Sequence, residues 1–163
     1  MARIICVDIP LLPLQILLKR NPGWRDRPVA VISEDKPLGI IFFLNKKARK
    51  NGIQSGMKYA TALTVAPGLL AGVVDEEEME EHVADIEKKL LDFSPEVEIA
   101  ELEDGLFWVK ADGMSNIFGS ENEMLNSIRA GMRELGFSSR CGVGSSKPGS
   151  FCAARSSDGK RIL

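Results

Sequence analysis

The sequence predicts an α+β fold, a ferredoxin-like βαββαβ unit interrupted after its first strand by an inserted α/β subdomain. Three observations predict it. Hydropathy patterns follow the order strand, helix, strand, strand, helix, strand once residues 9–75 are set aside. The junction Glu103-Asp104-Gly105 carries an Asp-Gly turn signal, which pairs the middle two strands antiparallel. The charge also divides along the chain: residues 11–75 carry ten Lys/Arg against four Asp/Glu, a balance of +6, and residues 76–163 carry ten against eighteen, a balance of −8. At 163 residues the chain has room for one main core and a satellite, not for two ordinary domains.

Each element has its own signal. Arg3 to Asp8 is apolar and β-branched, ends in a charge and runs into Pro10 and Pro13, the pattern of a buried strand. Within the insertion, Val29 to Ile32 and Leu38 to Phe43 read as strands, Asn45 to Asn51 as a basic helix ended by Gly52, and Lys58 to Ala66 as a helix stopped by Pro67-Gly68. Glu76 to Phe93 places Met79, Val83, Ile86, Leu90 and Phe93 at helical spacing. Acids fill its first turn and Lys88-Lys89 lie near its end, as the helix dipole favours. Ser94-Pro95 stops it. Val97 to Leu102 alternates apolar and acidic residues like a half-buried strand, and Leu106 to Val109 follows as its hairpin partner. Ser120 and Glu123 form a capping box ahead of the stripe Met124, Leu125, Ile128, Met132 and Leu135, which Gly136 ends. Arg140 to Val143 reads as the last strand and Phe151 to Arg155 as part of a terminal helix with weak caps.

In the ferredoxin-like plan the third strand lies between the first and second and antiparallel to both, so Asp8 falls near Glu103 and Asp104. Three carboxylates at such a junction suit hard divalent cations, Mg²⁺ above all, in two-metal phosphoryl or nucleotidyl transfer. Hairpin residues in water, with Asp8 at a strand end, account for the same spacing, and spacing leaves both readings open. Lys46, Arg49 and Lys50 share a helical face that fits phosphates or plain solvent. The basic balance of residues 11–75 points in the same way to a polyanion partner or a solvated face.

Other features exclude function classes. His82 is the sole histidine and reads as structural, so neither a histidine triad nor a clustered zinc site can be built. Gly142-Val143-Gly144 is expected to lack the strand-loop-helix setting of a phosphate loop. Adjacent Phe107 and Trp108 point to opposite faces of a strand, which argues against an RNA-recognition sheet. The apolar stretch from Ile4 to Leu18 is broken by Asp8, Pro10 and Pro13 and falls short of a membrane span. Cys6, Cys141 and Cys152 are an odd, unpaired set expected to be buried reduced thiols, and the expected compartment is the cytoplasm.

The run ARKNGIQSGMKYATALTVAPGLL from Ala48 to Leu70 resembles the fingers signature of Y-family (UmuC-like) translesion DNA polymerases. IICVDI around Asp8, NPGWRDRPVAV from Asn21, SPEVEIAELEDG from Ser94, IFGS from Ile117 and CGVGSSK from Cys141 resemble the same family in the same order. The resemblance implies a palm at residues 1–10 and 76–163 and fingers at 11–75, with the thumb and little-finger domains absent from this chain. It further implies Mg²⁺ at Asp8, Glu103 and Asp104, primer-template DNA and deoxynucleoside triphosphate (dNTP) as ligands, DNA-repair or replication proteins as partners, and no membrane.

This sequence departs from the family pattern at several of those positions. The carboxylate two residues after Asp8 is replaced by Pro10, and the family's Asp-Glu pair stands reversed as Glu103-Asp104. The aromatic gate over the incoming sugar corresponds to Pro13 and its aromatic neighbour to Leu11. The fingers' triphosphate-binding hydroxyl and tyrosine correspond to Phe43 and Lys46, Arg49 matches the family's phosphate ligand, and a palm lysine falls on Ala153. This pattern is similar to the ImuB-like branch, polymerase-shaped accessory proteins, and the alternative is an active divergent translesion polymerase.

Overall fold

The computed structural model describes residues 2–101 and 103–156. In chain order the elements are β1 (Ile4–Asp8), α1 (Leu12–Arg20), β2 (Val29–Ile32), β3 (Ile41–Leu44), α2 (Lys46–Lys50), α3 (Tyr59–Val65), β4 (Leu70–Gly72), α4 (Glu76–Leu90), β5 (Val97–Ile99), β6 (Leu106–Lys110), α5 (Ser115–Phe118), α6 (Glu121–Glu134), β7 (Arg140–Gly144) and α7 (Lys147–Arg155). They form two compact units, a discontinuous one of Met1–Pro10 with Glu81–Leu163 and an inserted one of Leu11–Glu80. No described helix is long and apolar enough to cross a membrane.

The discontinuous unit is a four-stranded antiparallel sheet of order β5-β6-β1-β7. This is the strand order the ferredoxin-like plan requires. β1 is central, and Ile5 to Asp8 are all buried. Alternation puts Cys6 and Asp8 on one face, with Leu106 and Trp108 of β6 and Arg140 and Gly142 of β7 opposite them. α7 packs on that face, where Ala154 joins Cys6 and Leu106 in a small apolar cluster. α4 starts on an Asp75 carboxylate that accepts from the Glu78 amide at 2.8 Å, and it buries Ile86 and Leu90. α6 starts on the expected Ser120–Glu123 capping box and buries Met124, Leu125, Ile128 and Met132. Gly136 ends it at φ 90°, a left-handed conformation that glycine adopts without strain. β5 and β6 pair antiparallel as expected, but β5 covers only Val97–Ile99 of the expected strand from Val97 to Leu102; Gly105 precedes β6 at φ 82°, and Leu102 lies outside the described residues.

Three sequence expectations need correction here. α7 spans Lys147–Arg155 and so includes the expected Phe151 to Arg155, but its cap is not weak, since Ser146 Oγ accepts from the Gly149 amide at 3.2 Å. Gly142-Val143-Gly144 therefore does sit in a strand-turn-helix setting. Its glycines serve packing: a Cβ on Gly142 would lie 2.2 Å from the Ala154 nitrogen and 2.6 Å from the Ser150 carbonyl oxygen. Cys152 is exposed, whereas Cys6 and Cys141 are buried. The adjacent pair Phe107 and Trp108 behaves as expected, Phe107 fully buried and Trp108 half-buried on the other face. His82 stands edge-on to Phe137 with ring centroids 5.6 Å apart, a packing role.

The inserted unit is a three-stranded sheet of order β3-β2-β4, with β2 antiparallel to β3 and parallel to β4. β2 is buried throughout, and its residues alternate between two clusters. Val29 and Val31 pack with Leu14 and Leu17 of α1; Ala30 and Ile32 pack with Ala48 of α2 and Ala62 of α3. Asn45 ties α2 to β2: its Oδ1 accepts from the Ala48 and Val29 amides at 2.9 and 3.1 Å, and its Nδ2 donates to the Arg27 carbonyl at 2.7 Å. α1 and β4 carry no clear sequence signal. Pro13 suggests a break before α1, yet it occupies the first turn, where a missing N–H costs nothing.

Candidate functional site

Asp8 closes β1 between Leu106 of β6 and Arg140 of β7, its register partners. The Ile9 amide donates to the Gly105 carbonyl at 2.8 Å, which holds the loop bearing Glu103 and Asp104 against the end of β1. The topology thus brings Glu103 to Asp8 as the strand order requires. Two arginines meet them, Arg155 between the two and Arg140 on Asp8. Arg140, first residue of β7, reaches Asp8 Oδ2 with Nη2 at 2.6 Å and Nε at 3.2 Å. Arg155, in the last turn of α7, donates from Nε to Oδ2 at 3.2 Å and from Nη2 to Oδ1 at 3.4 Å, and Nη2 also donates to Glu103 Oε1. The Arg155 guanidinium lies 4.3 Å above the Phe151 ring one helical turn earlier, a cation–π contact that fixes its approach.

The electrostatics follow from burial. Asp8 is 1% exposed, so its charge persists only if fully paired and hydrogen-bonded. Burial works against the Arg155 charge, but hydrogen bonds to Glu103 and Asp8 outweigh it and leave its pKa above the ordinary value. On the same face, burial and then the Asp8 charge push the Cys6 thiol up to about 12. Glu103 is partly exposed, and Asp104 is exposed with no hydrogen bond or ion pair among the described residues.

A Mg²⁺ pair needs several oxygen donors facing a common point and no competing cation. Here both Asp8 oxygens receive guanidinium N–H groups, Arg155 spans Asp8 and Glu103, and Pro10 has no side-chain oxygen to add. No group of three or more Asp, Glu, His or Cys suited to a metal occurs among the described residues. In this arrangement the donor set fits two guanidinium groups and does not fit a metal pair.

In the inserted unit α2 turns Ala48 inward and leaves Lys46, Arg49 and Lys50 exposed, none with an acidic partner among the described residues. Lys47 is tied down, donating to the Asp26 carbonyl at 2.6 Å. Of the positions that depart from the polymerase pattern, Pro13 is buried in α1, Phe43 packs against the cluster of Leu14, Leu17, Val29 and Val31, and Ala153 is fully buried in α7. Sequence reasoning missed Arg140 and Arg155. A signal was present for Arg140, a lone charge opening the apolar strand that must lie beside β1.

Residues 7–155 match the impB/mucB/samB family. The chain is 30% identical over 162 residues to DNA polymerase IV of Salmonella typhimurium, an alignment covering 97% of this chain and 44% of that polymerase. It is 39% identical over 70 residues to DNA polymerase IV of Vibrio vulnificus, covering 43% of this chain and 20% of that one. The chain thus spans less than half the length of these relatives. Among solved structures, a post-insertion binary complex of Dbh DNA polymerase superposes with TM-score 0.81 at 20% identity over 98% of this chain and 47% of that one. DinB from Sulfolobus solfataricus does so with TM-score 0.77 at 19% identity over 98% and 47%. The match over residues 7–155, borne on a sheet that ends its central strand in Asp8, places this chain in the impB/mucB/samB (IMS) family of Y-family polymerase domains.

Proposed function

We propose that this chain is the palm (residues 1–10 and 76–163) and fingers (11–75) of a Y-family polymerase-like protein of DNA repair and damage tolerance whose nucleotide site is degenerate and whose role is accessory. One observation carries the reading: the Asp8 carboxylate, the would-be metal ligand, is taken up by Arg140 and Arg155. Two guanidinium charges there oppose a divalent cation by direct repulsion. The nucleotide side supports it as well, because Pro13 cannot stack as a gate, Phe43 cannot donate a hydrogen bond and Ala153 carries no charge. Arg49 and Lys46 remain to meet phosphates of primer-template DNA or a dNTP. The protein would work in the cytoplasm with DNA-repair or replication proteins.

Phosphoryl transfer depends on in-line positioning and charge neutralisation, and losing one such group costs about 3 kcal/mol in the transition state. Losing several lowers the rate by orders of magnitude. The test supplies the full-length protein with primed template, dNTPs and Mg²⁺, with Mn²⁺ in parallel. No extension above background is expected. Extension that disappears in Glu103→Gln overturns the accessory reading and establishes the divergent polymerase. Glu103 is the better position than Asp8, whose loss also strips the partner from two arginines.

A further inference from the structure

We propose that the inserted unit binds an unpaired DNA strand, one base stacking on the Phe42 ring while Lys58 and the α2 cations meet the flanking phosphates. The sheet itself presents the ring. Register pairs Val31 with Phe43 and Ile32 with Ile41, so β3 carries one residue more than β2 at this point and Phe42 has no cross-strand partner. A bulge of this kind re-aims a side chain, and Phe42 is 50% exposed while Ile41 and Leu44 of the same strand are buried. Neither apolar cluster of the unit takes Phe42 in, and its ring meets no other ring or cation among the described residues. The backbone beneath it is fixed. The Ile41 amide donates to the Met57 carbonyl and the Gly56 amide to the Ile41 carbonyl, each at 2.8 Å, and Ser55 Oγ donates to the Phe42 carbonyl at 3.0 Å. These bonds close the outer edge of β3 here, so a partner's strand cannot add to it. They also set Gly56 beside Ile41 and Phe42, and a Cβ at Gly56 would find nothing within 4 Å, so open space adjoins the strand.

The charges name the ligand. Lys58 lies across an isolated bridge from Ile40, two residues before Phe42. Lys46, four residues after Phe42, opens α2, and Arg49 and Lys50 are exposed with it. Four residues of chain span at most about 14 Å, the reach of a few stacked nucleotides. None of these four cations has an acidic partner among the described residues. A flat ring flanked by unpaired cations matches the repeating unit of a single strand, a π-face and a phosphate. Bases inside a duplex are already stacked on one another and cannot offer that face. An acidic peptide would satisfy the cations but has no counterpart of the base. A second copy of this chain would set positive charge against positive charge.

The inference rests on the reading of this chain as an accessory protein that meets DNA, and its test runs in EDTA without nucleotide. Failure here leaves the extension assay standing, and extension there leaves the stacking site untouched. The whole chain is titrated by fluorescence anisotropy with a labelled mixed-sequence DNA strand, with the same strand annealed to its full complement, and with a strand of equal length built of abasic sites. The single strand is expected to bind about tenfold more tightly than either control. Phe42→Ala should weaken single-strand binding about tenfold while leaving the duplex and abasic affinities and the salt slope as they were. Phe42→Leu keeps apolar bulk without a π-face and should behave like the alanine variant, whereas Phe42→Trp should bind as the parent does, its indole fluorescence quenched by the base. Lys58→Ala should instead make the salt dependence shallower. Equal affinity of the parent for single strand and duplex, undiminished single-strand binding by Phe42→Ala or Phe42→Leu, or the same loss on the abasic strand overturns the proposal, as does a dimer that Phe42→Ala dissolves.

Discussion

In the discontinuous unit a buried carboxylate meets two guanidinium groups, and a third cation, Lys89, ties α4 to α6 through Glu134 at 2.8 Å. In the inserted unit Lys46, Arg49 and Lys50 stand exposed on α2 with no acidic neighbour among the described residues. The first unit is the acidic part of the chain and the second the basic part. Yet the acidic unit has consumed its most buried negative charge internally, and the basic unit keeps its α2 charges available. Net charge therefore misstates what each unit offers a ligand; pairing decides it. Packing differs in the same sense. α7 approaches β7 so closely that Gly142 has no room for a methyl group, whereas Gly23 of the inserted unit has nothing within 4 Å.

Four measurements can break or sharpen this contrast. The largest effect belongs to Gly142→Ala, whose Cβ meets backbone atoms that cannot swing aside. A loss of about 3 kcal/mol is expected in urea unfolding, with Gly23→Ala near neutral beside it. Equal, small effects would mean that the α7 contact is not tight. Next comes Asp8→Asn. Removing one partner of a buried ion pair costs more than a surface change, and the partly exposed arginines recover some hydration, so about 2 kcal/mol is expected. An Asp8→Asn protein as stable as its parent would show that the arginines are not held by that charge.

A third effect is read in pH. Burial pushes the Cys141 thiol up to about 12 from an ordinary 9.0. Between those values the unfolded thiol ionises while the folded one keeps its proton, so the unfolded state binds fewer protons and stability falls as pH rises. This contribution is fully present below pH 9.0 and fades toward 12, and Cys141→Ala should flatten the slope by up to about 1.4 kcal/mol per pH unit. Identical slopes in both proteins would refute it. The smallest stability effect is expected from Lys46→Ala/Arg49→Ala/Lys50→Ala, within about 0.5 kcal/mol because no partner is lost. The same variant should bind primer-template DNA more weakly and with a shallower salt dependence, measured by fluorescence anisotropy at several salt concentrations. A stability loss as large as that of Asp8→Asn would erase the distinction between the two units.

The strand order β5-β6-β1-β7, the capping box of α6 and the neighbourhood of Asp8 and Glu103 are all legible in the sequence. They rest on local period, turn chemistry and one topological rule, which act over a few residues or through a plan with few alternatives. α1 and β4 are not legible, because their prolines and glycines read as breaks until the neighbouring β2 gives them something to pack on. The caps and length of α7 are hidden for a similar reason: a Ser-Lys-Pro-Gly start looks like a loop, and contact with the glycines of β7 makes it a helix.

By itself the sequence determined the strand order and, through it, that the loop bearing Glu103 reaches the end of β1 beside Asp8. Tertiary structure alone decided what meets those carboxylates. Arg140 and Arg155 lie 132 and 147 residues from Asp8; Arg140 is marked only as a lone charge opening its strand, and Arg155 carries no local signal of its target. Their convergence depends on antiparallel register placing Arg140 across from Asp8 and on two glycines letting α7 approach closely enough to bring Arg155 to the same carboxylate. Charge type is written in the chain, but whether a charge faces a metal, a phosphate or another side chain is set by distances that exist only once the sheet and its helix have packed.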